Sequence, residues 1–397
     1  MPNVRSSVVL SAGLAVAAFL GACAASSSTS RSSTSTTGAV RTQTQTIDPN
    51  SPTGGAVTEA HGFRISHDDW YRLGYRWDWS SLPFLMRGGH VTDLEPAGDR
   101  LLVQESGSFI SVLESGSGRL VWNSQMGTRY TKFVGLQRDG DVILSSSASE
   151  LFELGLETGN LLSRSSLDFL VNTSPALVGN FAIFGASNGK LLAHNRSIGL
   201  IAWAYALGGP IDTPPVLVNA STLAVVSQAG DVIFLDPLSG SSTGRAKIAG
   251  GVAYAPPTDG ERLYVPSLDQ SVYAYDAADA SLAWRVRTEY PITKPSALYH
   301  DMLLVPLRGD GLTALDTRDG TLIWRNDELT GWVVAVHKGE LIVWDGATLA
   351  AVDADRGDVI FRAQVPGASM VVPDAFEDGA LYVVSRSGGI IRFRPRE

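Results

Sequence analysis

The sequence contains a segment of about forty residues that repeats along most of its length. The stretch LTALDTRDGTLIW at residues 312–324 recurs in at least six further, degenerate copies. The positions that open the turn follow one another after 41, 40, 41, 40, 40 and 37 residues, and they are Glu114, Gly155, Asn195, Asp236, Asp276, Asp316 and Asp353. A fixed period of this length is typical of a protein built from one supersecondary unit that is stacked many times.

Each repeat predicts four short antiparallel strands. Residues 312–324 alternate apolar and polar residues around an Asp-x-x-x-Gly turn, which is the pattern of a β-hairpin. An upstream half, such as residues 213–227, adds a short strand, a polar turn and an apolar strand. Four strands in about forty residues match one propeller blade. Seven complete units and one three-stranded remnant therefore predict an all-β fold, an eight-bladed β-propeller of four-stranded antiparallel blades.

The ring needs one more strand to close. The last repeat, which includes residues 388–397, stops before its outer strand. Residues 70–79, WYRLGYRWDW, have the alternation and the aromatic side chains of such a strand. We predict that this N-terminal strand pairs with the C-terminal blade, because closure removes the open edges of the sheet.

The recurring residues of the repeat have structural explanations. Tryptophans at one blade position are predicted to pack between neighbouring blades, and they are Trp122, Trp203, Trp284 and Trp324. Aspartates at the turn are predicted to accept backbone hydrogen bonds, and they are Asp236, Asp276, Asp316 and Asp353. The second unit has Ser163 and the fourth has Gly244 in place of the tryptophan. Looser packing is predicted at the outer edges of these two blades.

The N-terminus has the features of an export signal. Arg5 precedes an apolar run at residues 8–20, and LGAC then ends at Cys23, the only cysteine of the chain. This arrangement resembles a bacterial lipoprotein signal, so residues 1–22 are predicted to be the signal peptide and Cys23 the lipidated residue; an ordinary secretory signal is the alternative. Residues 23–60, rich in Ser and Thr, are predicted to form a flexible tether, and residues 61–397 the propeller.

The repeat pattern resembles the quinoprotein-type, or PQQ-like, propeller repeat. Together with the lipoprotein signal, the tether and eight blades, it resembles the outer-membrane protein assembly factor B family. That resemblance implies a lipid-anchored scaffold at the periplasmic face of the outer membrane, which binds the outer-membrane barrel insertase. The net charge of −9 disfavours nucleic-acid binding through bulk electrostatics, so no nucleic-acid partner is expected.

Three classes of function remain open. A PQQ-dependent dehydrogenase would need Ca²⁺ ligands and the vicinal cysteine pair of the related enzymes, and neither is found in this sequence. We therefore expect no enzymatic activity, no catalytic residue, no metal site and no cofactor. A non-catalytic scaffold for protein–protein interaction is preferred, with a binding module for glycan, a small ligand or a sensory partner as the alternative. The chain by itself is expected to be monomeric.

Candidate partner-binding residues lie between one blade's outer strand and the next blade's inner strand. Aromatic residues are informative there because the cores of protein interfaces favour them. The candidates are Tyr130, Phe169, Asp212, Tyr254, Tyr290 and Trp332. The alternative is that several of them cap the blades or line the central funnel. The blade connections at residues 204–215 and 245–257 are short and lack the Leu- and Arg-containing patch and paired aspartates of the family, so no binding residue is transferred from the resemblance.

Overall fold

A computed structural model describes the backbone of residues 41–44 and the full structure of residues 54–128 and 130–397. The predicted signal peptide, Cys23 and much of the predicted tether lie outside the described residues. The predicted start of the propeller, residue 61, falls in the turn between the second and third strands. No helix of the described part is long and apolar enough to cross a membrane.

The described chain consists of short antiparallel strands and one helix of six residues. Before the first complete blade come β1 (Arg41–Thr44), β2 (Ala56–Ala60), β3 (Phe63–Ser66), α1 (His67–Arg72) and β4 (Tyr75–Ser81). Blade 1 consists of β5 (Val91–Ala97), β6 (Arg100–Glu105), β7 (Phe109–Glu114) and β8 (Leu120–Gln125), and blade 2 of β9 (Phe133–Asp139), β10 (Val142–Ser147), β11 (Glu150–Gly155) and β12 (Leu161–Ser166). Blade 3 consists of β13 (Ala176–Val178), β14 (Phe181–Gly185), β15 (Lys190–Asn195) and β16 (Leu200–Ala206), and blade 4 of β17 (Val216–Asn219), β18 (Thr222–Val226), β19 (Asp231–Leu235) and β20 (Ser242–Lys247).

The second half of the ring follows the same order. Blade 5 consists of β21 (Arg262–Ser267), β22 (Ser271–Asp276) and β23 (Leu282–Arg287), and blade 6 of β24 (Ala297–Tyr299), β25 (Met302–Leu307), β26 (Gly311–Asp316) and β27 (Leu322–Asn326). Blade 7 consists of β28 (Trp332–His337), β29 (Glu340–Trp344), β30 (Thr348–Asp353) and β31 (Val359–Gln364), and blade 8 of β32 (Ala368–Pro373), β33 (Leu381–Ser385) and β34 (Ile390–Pro395), with β4 as its fourth strand. The predicted eight-bladed β-propeller is confirmed. In blade 5 the innermost segment is irregular and pairs only at isolated bridges, Val252 with Ser267 and Thr258 with Leu263.

Burial along each strand follows from its place in the blade. All six residues of β26 are buried, because this third strand lies between two neighbouring blades. In contrast, β16 alternates exposed and half-buried residues over its whole length, since an outer strand has only one covered face. The core is therefore divided into clusters that lie between successive blades, rather than forming one central mass.

Closure by an N-terminal strand is confirmed, but the predicted bounds were wrong at the start. β4 begins at Tyr75 and pairs antiparallel with β34, whereas Trp70 lies in α1. Ser66 caps this helix by accepting a hydrogen bond from the Asp69 N–H at 3.3 Å. The indole of Trp70 stacks on Phe393 with 3.4 Å between ring centroids, so the helix covers the blade that β4 completes.

We call the contact between two neighbouring blades a seam. A tryptophan side chain fills most of the seams. In each case the Nε1–H of a tryptophan on an outer strand donates to a backbone carbonyl in the hairpin turn of the next blade. The pairs are Trp79 with Ser115, Trp122 with Leu156, Trp203 with Pro237, Trp284 with Thr317 and Trp324 with Ala354. The turn glycine lies against the ring; at Gly357, with φ +76°, a Cβ would be 2.4 Å from the Trp324 ring. Glycine is thus required there both by backbone conformation and by the indole.

The three seams without tryptophan are filled in different ways. Between blades 2 and 3, Arg196 reaches back to Glu153 at 2.6 Å and Asp139 at 2.5 Å, so ion pairs replace the ring. Between blades 7 and 8, Phe361 occupies the position and the guanidinium of Arg72 lies 5.5 Å from its ring centroid. The seam between blades 4 and 5 differs from both, because Gly244 supplies no side chain.

At that seam the neighbouring residues fill only the inner part. Phe234, which pairs with Gly244 across the strands, is fully buried in the cluster between the two blades. Ala280 takes the place of the turn glycine at φ +62°, and its Cβ lies 2.7 Å from where a Cβ on Gly244 would be. The outer part remains an open groove. Of the two blades for which looser packing is predicted, blade 4 thus has an open outer edge, whereas Arg196 fills the seam at blade 2.

Candidate interaction surface

The propeller has two distinct faces. The top face, as we define it, carries the connections between blades and the turns between the second and third strands of each blade. The bottom face carries the turns between the first and second strands and those between the third and fourth strands. All six predicted partner-binding residues lie on the top face. Five are in connections between blades, and Trp332 is the first residue of β28. The structure thus places all six on one face. Five lie in the consecutive connections that lead from blade 1 to blade 6, and Trp332 lies at the start of blade 7.

Four of these residues are separate from one another. Tyr130 is 78% exposed and Tyr254 is 49% exposed. Asp212 accepts a hydrogen bond from the side-chain amide of Asn172 at 2.9 Å. The ammonium of Lys190 lies 4.1 Å from the ring centroid of Phe169, whose ring packs partly against the core between blades 2 and 3. Their positions span much of the ring, so they do not form one compact site.

The connection that carries Tyr290 and the connection that precedes Trp332 bound a pocket on the top face of blade 6. Its volume is about 410 Å³, and it is lined by Pro291, Thr293, Lys294, Pro306, Leu307, Arg308, Gly309, Gly311, Asp327 and Thr330. The guanidinium of Arg308 lies 5.3 Å from the Tyr290 ring centroid. The ammonium of Lys294 lies 5.9 Å from the Trp332 ring centroid and also donates to the Thr330 carbonyl. We call this site the blade 6 pocket.

The blade 6 pocket is lined by two cations, Lys294 and Arg308, and one carboxylate, Asp327, so its net positive charge suits an anionic group such as a carboxylate. Arg308 is exposed on a turn, and the neighbouring carboxylate, Asp310, pairs with Arg325 at 3.0 Å instead. The Tyr290 ring lies beside this guanidinium, and an arginine in such a position can bind a carboxylate through two N–H groups. Sequence reasoning missed Arg308 and Lys294, because isolated cations in turns usually indicate only a solvated surface. Their closeness to the predicted aromatic residues depends on the ring geometry.

A rigid apolar loop forms a second part of the top face. In the connection between β4 and β5, Leu82, Phe84 and Met86 are 55%, 45% and 41% exposed. The carboxylate of the buried Glu105 accepts hydrogen bonds from the N–H groups of Met86 at 3.0 Å and of Gly107 at 2.7 Å. This buried carboxylate fixes the backbone of the loop at Met86 and joins it to the turn between β6 and β7. Exposed apolar side chains on a fixed backbone are typical of a surface that binds another molecule.

Two acidic side chains on the innermost strand of blade 1 are only partly accessible. Burial, with the neighbouring Asp93 carboxylate as the second cause, raises the pKa of Glu95 from 4.5 to about 7. Burial likewise raises the pKa of Asp93. Within the described residues no group of three or more His, Cys, Asp or Glu side chains could hold a metal ion.

The raised pKa of Glu95 predicts a dependence of stability on pH. Between about pH 4.5 and pH 7 the folded protein holds a proton on Glu95 that the unfolded chain has lost, so stability falls as the pH rises through this window. We expect Glu95→Gln to flatten this decline and to give a higher melting temperature than the unsubstituted protein at pH 8. Thermal unfolding from pH 5 to pH 8 tests this, with the exposed Glu289→Gln as control. Parallel melting curves for the unsubstituted protein and Glu95→Gln would contradict it.

Comparison with known proteins identifies the family. A family model described as outer membrane protein assembly factor BamB matches residues 106–249, 188–327 and 308–396. The chain is 23% identical over 330 residues to outer membrane protein assembly factor BamB of Burkholderia pseudomallei, a match that covers 75% of this chain and 83% of that protein. It is 30% identical over 178 residues to BamB of Legionella pneumophila, covering 42% of this chain and 46% of that protein.

The solved structures agree in fold. BamB from Moraxella catarrhalis has a TM-score of 0.66 at 17% identity, covering 81% of this chain and 99% of that one. The computationally designed Ika8 protein has a TM-score of 0.67 at 12% identity, so structural likeness at this level shows the propeller fold alone. The sequence matches go further, because together they extend from residue 106 to residue 396. Since they cover more than half of its length, the chain belongs to the outer membrane protein assembly factor BamB family.

Proposed function

We propose that this protein is a non-catalytic, lipid-anchored periplasmic scaffold that binds a protein partner during outer-membrane protein assembly. The membership of the BamB family supports the process. The observation that carries the binding role is the top face, where the blade 6 pocket and the rigid apolar loop present aromatic, apolar and cationic groups. Lipidation at Cys23 would hold this surface near the outer membrane, and the barrel insertase is the proposed partner.

The use of the repeat residues supports a scaffold rather than an enzyme. The tryptophans and turn glycines contact one another across the seams, so the residues that recur in the blades maintain the ring. Such a ring is a rigid support for residues on its loops. Stable protein contacts bury about 800 Å² per partner, an area that one face of a propeller can provide.

A binding module for a small ligand is the second candidate. The volume of the blade 6 pocket, about 410 Å³, lies within the range of roughly 300–1,000 Å³ for small-molecule sites. Its cations would select a ligand with a carboxylate or another anionic group. Both functions would use the same pocket residues. The identity of the bound molecule, a protein or a small ligand, therefore distinguishes them.

Site-specific photocrosslinking in intact envelopes tests the proposal. A photoreactive residue placed at Tyr254, Tyr290 or Trp332 is expected to capture a component of the outer-membrane assembly machinery. The control is Ile198, which is 64% exposed in a bottom-face turn of blade 3. Equal capture of this component from both faces, or none from the top face, would contradict the proposed surface.

Charge substitution at the blade 6 pocket gives a second, quantitative prediction. We expect Arg308→Ala to reduce capture of the partner by about tenfold, because a charge-assisted hydrogen bond contributes roughly 1.5–3 kcal/mol. Arg356→Ala removes an exposed arginine from a bottom-face turn and should leave capture unchanged. Capture is measured as crosslinked product at equal protein level. Equal yields from the two variants would exclude the pocket as the contact site.

A further inference from the structure

An open groove lies on the bottom face at the seam between blades 4 and 5. Its volume is about 640 Å³, and it is lined by Asn219, Ser221, Thr222, Asp236, Thr243, Gly260, Glu261, Asp276, Ala277 and Ala278. At five other seams an indole fills this region and donates to the facing turn. Here the tryptophan position is Gly244, so no side chain of the outer strand enters. We call it the seam groove.

The other two seams without tryptophan show what such a position holds instead. At one of them Arg196 crosses the seam to Glu153 and Asp139, and at the other Arg72 lies over the Phe361 ring. An arginine takes part in both, as the side chain that crosses the first seam and as a cation against the Phe361 ring at the second. In the seam groove the residue equivalent to Arg196 is Ala277, which follows the turn-opening Asp276 just as Arg196 follows Asn195. Alanine is too short to cross, so the position of the guanidinium is left open.

The walls of the groove offer acceptors for a cation, although the residues equivalent to Glu153 and Asp139 are here Phe234 and Asn219. Three carboxylates line it, those of Asp236, Glu261 and Asp276, together with the amide of Asn219, and no lysine or arginine is among the lining residues. Hydrogen bonds from the backbone N–H and hydroxyl of Ser239 hold the pKa of Asp236 below its usual range, so this carboxylate is ionised at neutral pH. The side chain of Asn219 donates to the Gly260 carbonyl at 3.1 Å and thereby ties the two blades together across the groove.

We propose that the seam groove binds an arginine-bearing segment of a partner protein, with the guanidinium held by these carboxylates. The planar guanidinium carries five N–H donors and suits several acceptors at once, which a single ammonium group does not. The volume admits one arginine together with neighbouring residues of an extended segment. This inference is independent of the proposed function, because the groove and the blade 6 pocket are on opposite faces. Two such surfaces would let one propeller hold two proteins.

Binding of capped model peptides to the full chain tests this inference. The probe is a fluorescent peptide of alternating Gly and Arg, and a Gly and Lys peptide is its counterpart, both at physiological ionic strength. We expect the arginine peptide to bind the unsubstituted protein more tightly than the lysine peptide. Glu261→Lys should weaken binding of the arginine peptide by about tenfold, the effect of losing a charge-assisted hydrogen bond.

The chain offers a matched control for the change of charge. Asp301 is the equivalent of Glu261 in the next blade. The Glu261 carbonyl accepts a hydrogen bond from the backbone N–H of Ala277, and the Asp301 carbonyl accepts one from Thr317, each of which directly follows a turn-opening aspartate. Its seam, however, is filled by Trp284. We expect Asp301→Lys to leave peptide binding nearly unchanged. Equal losses in the two variants would mean bulk charge attraction and would overturn the proposal.

A second variant closes the groove without changing its charge. Gly244→Trp combined with Ala280→Gly installs the indole and the turn glycine found at the other seams, and should abolish peptide binding while retaining a cooperative melting transition. Retained binding in this folded variant would overturn the proposal, as would equal affinity for the arginine and lysine peptides. If the double variant does not fold, the comparison of Glu261→Lys with Asp301→Lys decides.

Discussion

A chain that lacks residues 70–81 should fail to form a stable ring. The deletion removes β4 and half of α1, so the edge of β34 loses its antiparallel partner and the Trp70 ring no longer covers Phe393. It also leaves Arg392 without Asp78, which lies 2.9 Å away in a largely buried ion pair. Unpaired edges favour association with other chains. We expect aggregation and loss of the cooperative thermal transition, measured by size-exclusion chromatography and circular dichroism.

Deletion of residues 24–40 is the control for this experiment. That segment is rich in Ser and Thr and poor in large apolar residues, so its removal should change the melting temperature little. Both deletions are made in protein that lacks the signal peptide, which separates stability from export. Equal melting temperatures of the parent and the two deletions would refute the assignment of β4 as the closing strand.

Replacement of a seam tryptophan should have the largest effect of any single substitution that we consider. Trp324 is 7% exposed, its ring lies against Gly357, and its Nε1–H donates to the Ala354 carbonyl at 2.8 Å. Trp324→Ala would leave a cavity between blades 6 and 7 and an unsatisfied carbonyl. We expect a loss of about 3–5 kcal/mol in the free energy of unfolding, measured by chemical denaturation.

Leu322 provides the matched control on the same strand. It lies two residues from Trp324 in β27 and is 58% exposed, so Leu322→Ala removes a large apolar side chain that is not part of the seam. Its effect should be within about 0.5 kcal/mol, as for most surface substitutions. Comparable losses in the two variants would show that the indole does not support the contact between blades.

The closing strand shows where pattern reasoning reached its limit. Alternation and aromatic content selected residues 70–79, but a helix occupies the first part, because Ser66 caps it and Trp70 fits against Phe393. A segment of three or four residues carries too little periodicity to separate the end of a helix from the start of a strand. Packing against the last blade determines that this segment is helical.

The sequence by itself determined the period, the number of blades and the closure of the ring. A repeat of about forty residues with fixed turn and tryptophan positions is encoded within each unit, so local pattern suffices to read it. It also placed Tyr290 in a connection between blades, whereas Trp332, for which such a connection was also predicted, is the first residue of β28.

Only the tertiary structure decided how each seam is filled and which side chains share a site. Arg196 meets Glu153 across 43 residues of chain, and Arg308 and Lys294 line one pocket from different loops of the ring. Gly244 alone does not reveal a groove, because Phe234 and Ala280 determine how much of the vacant space remains. These contacts join residues of different strands or blades, and the spacing of residues along one chain does not specify the fit of side chains across such a boundary.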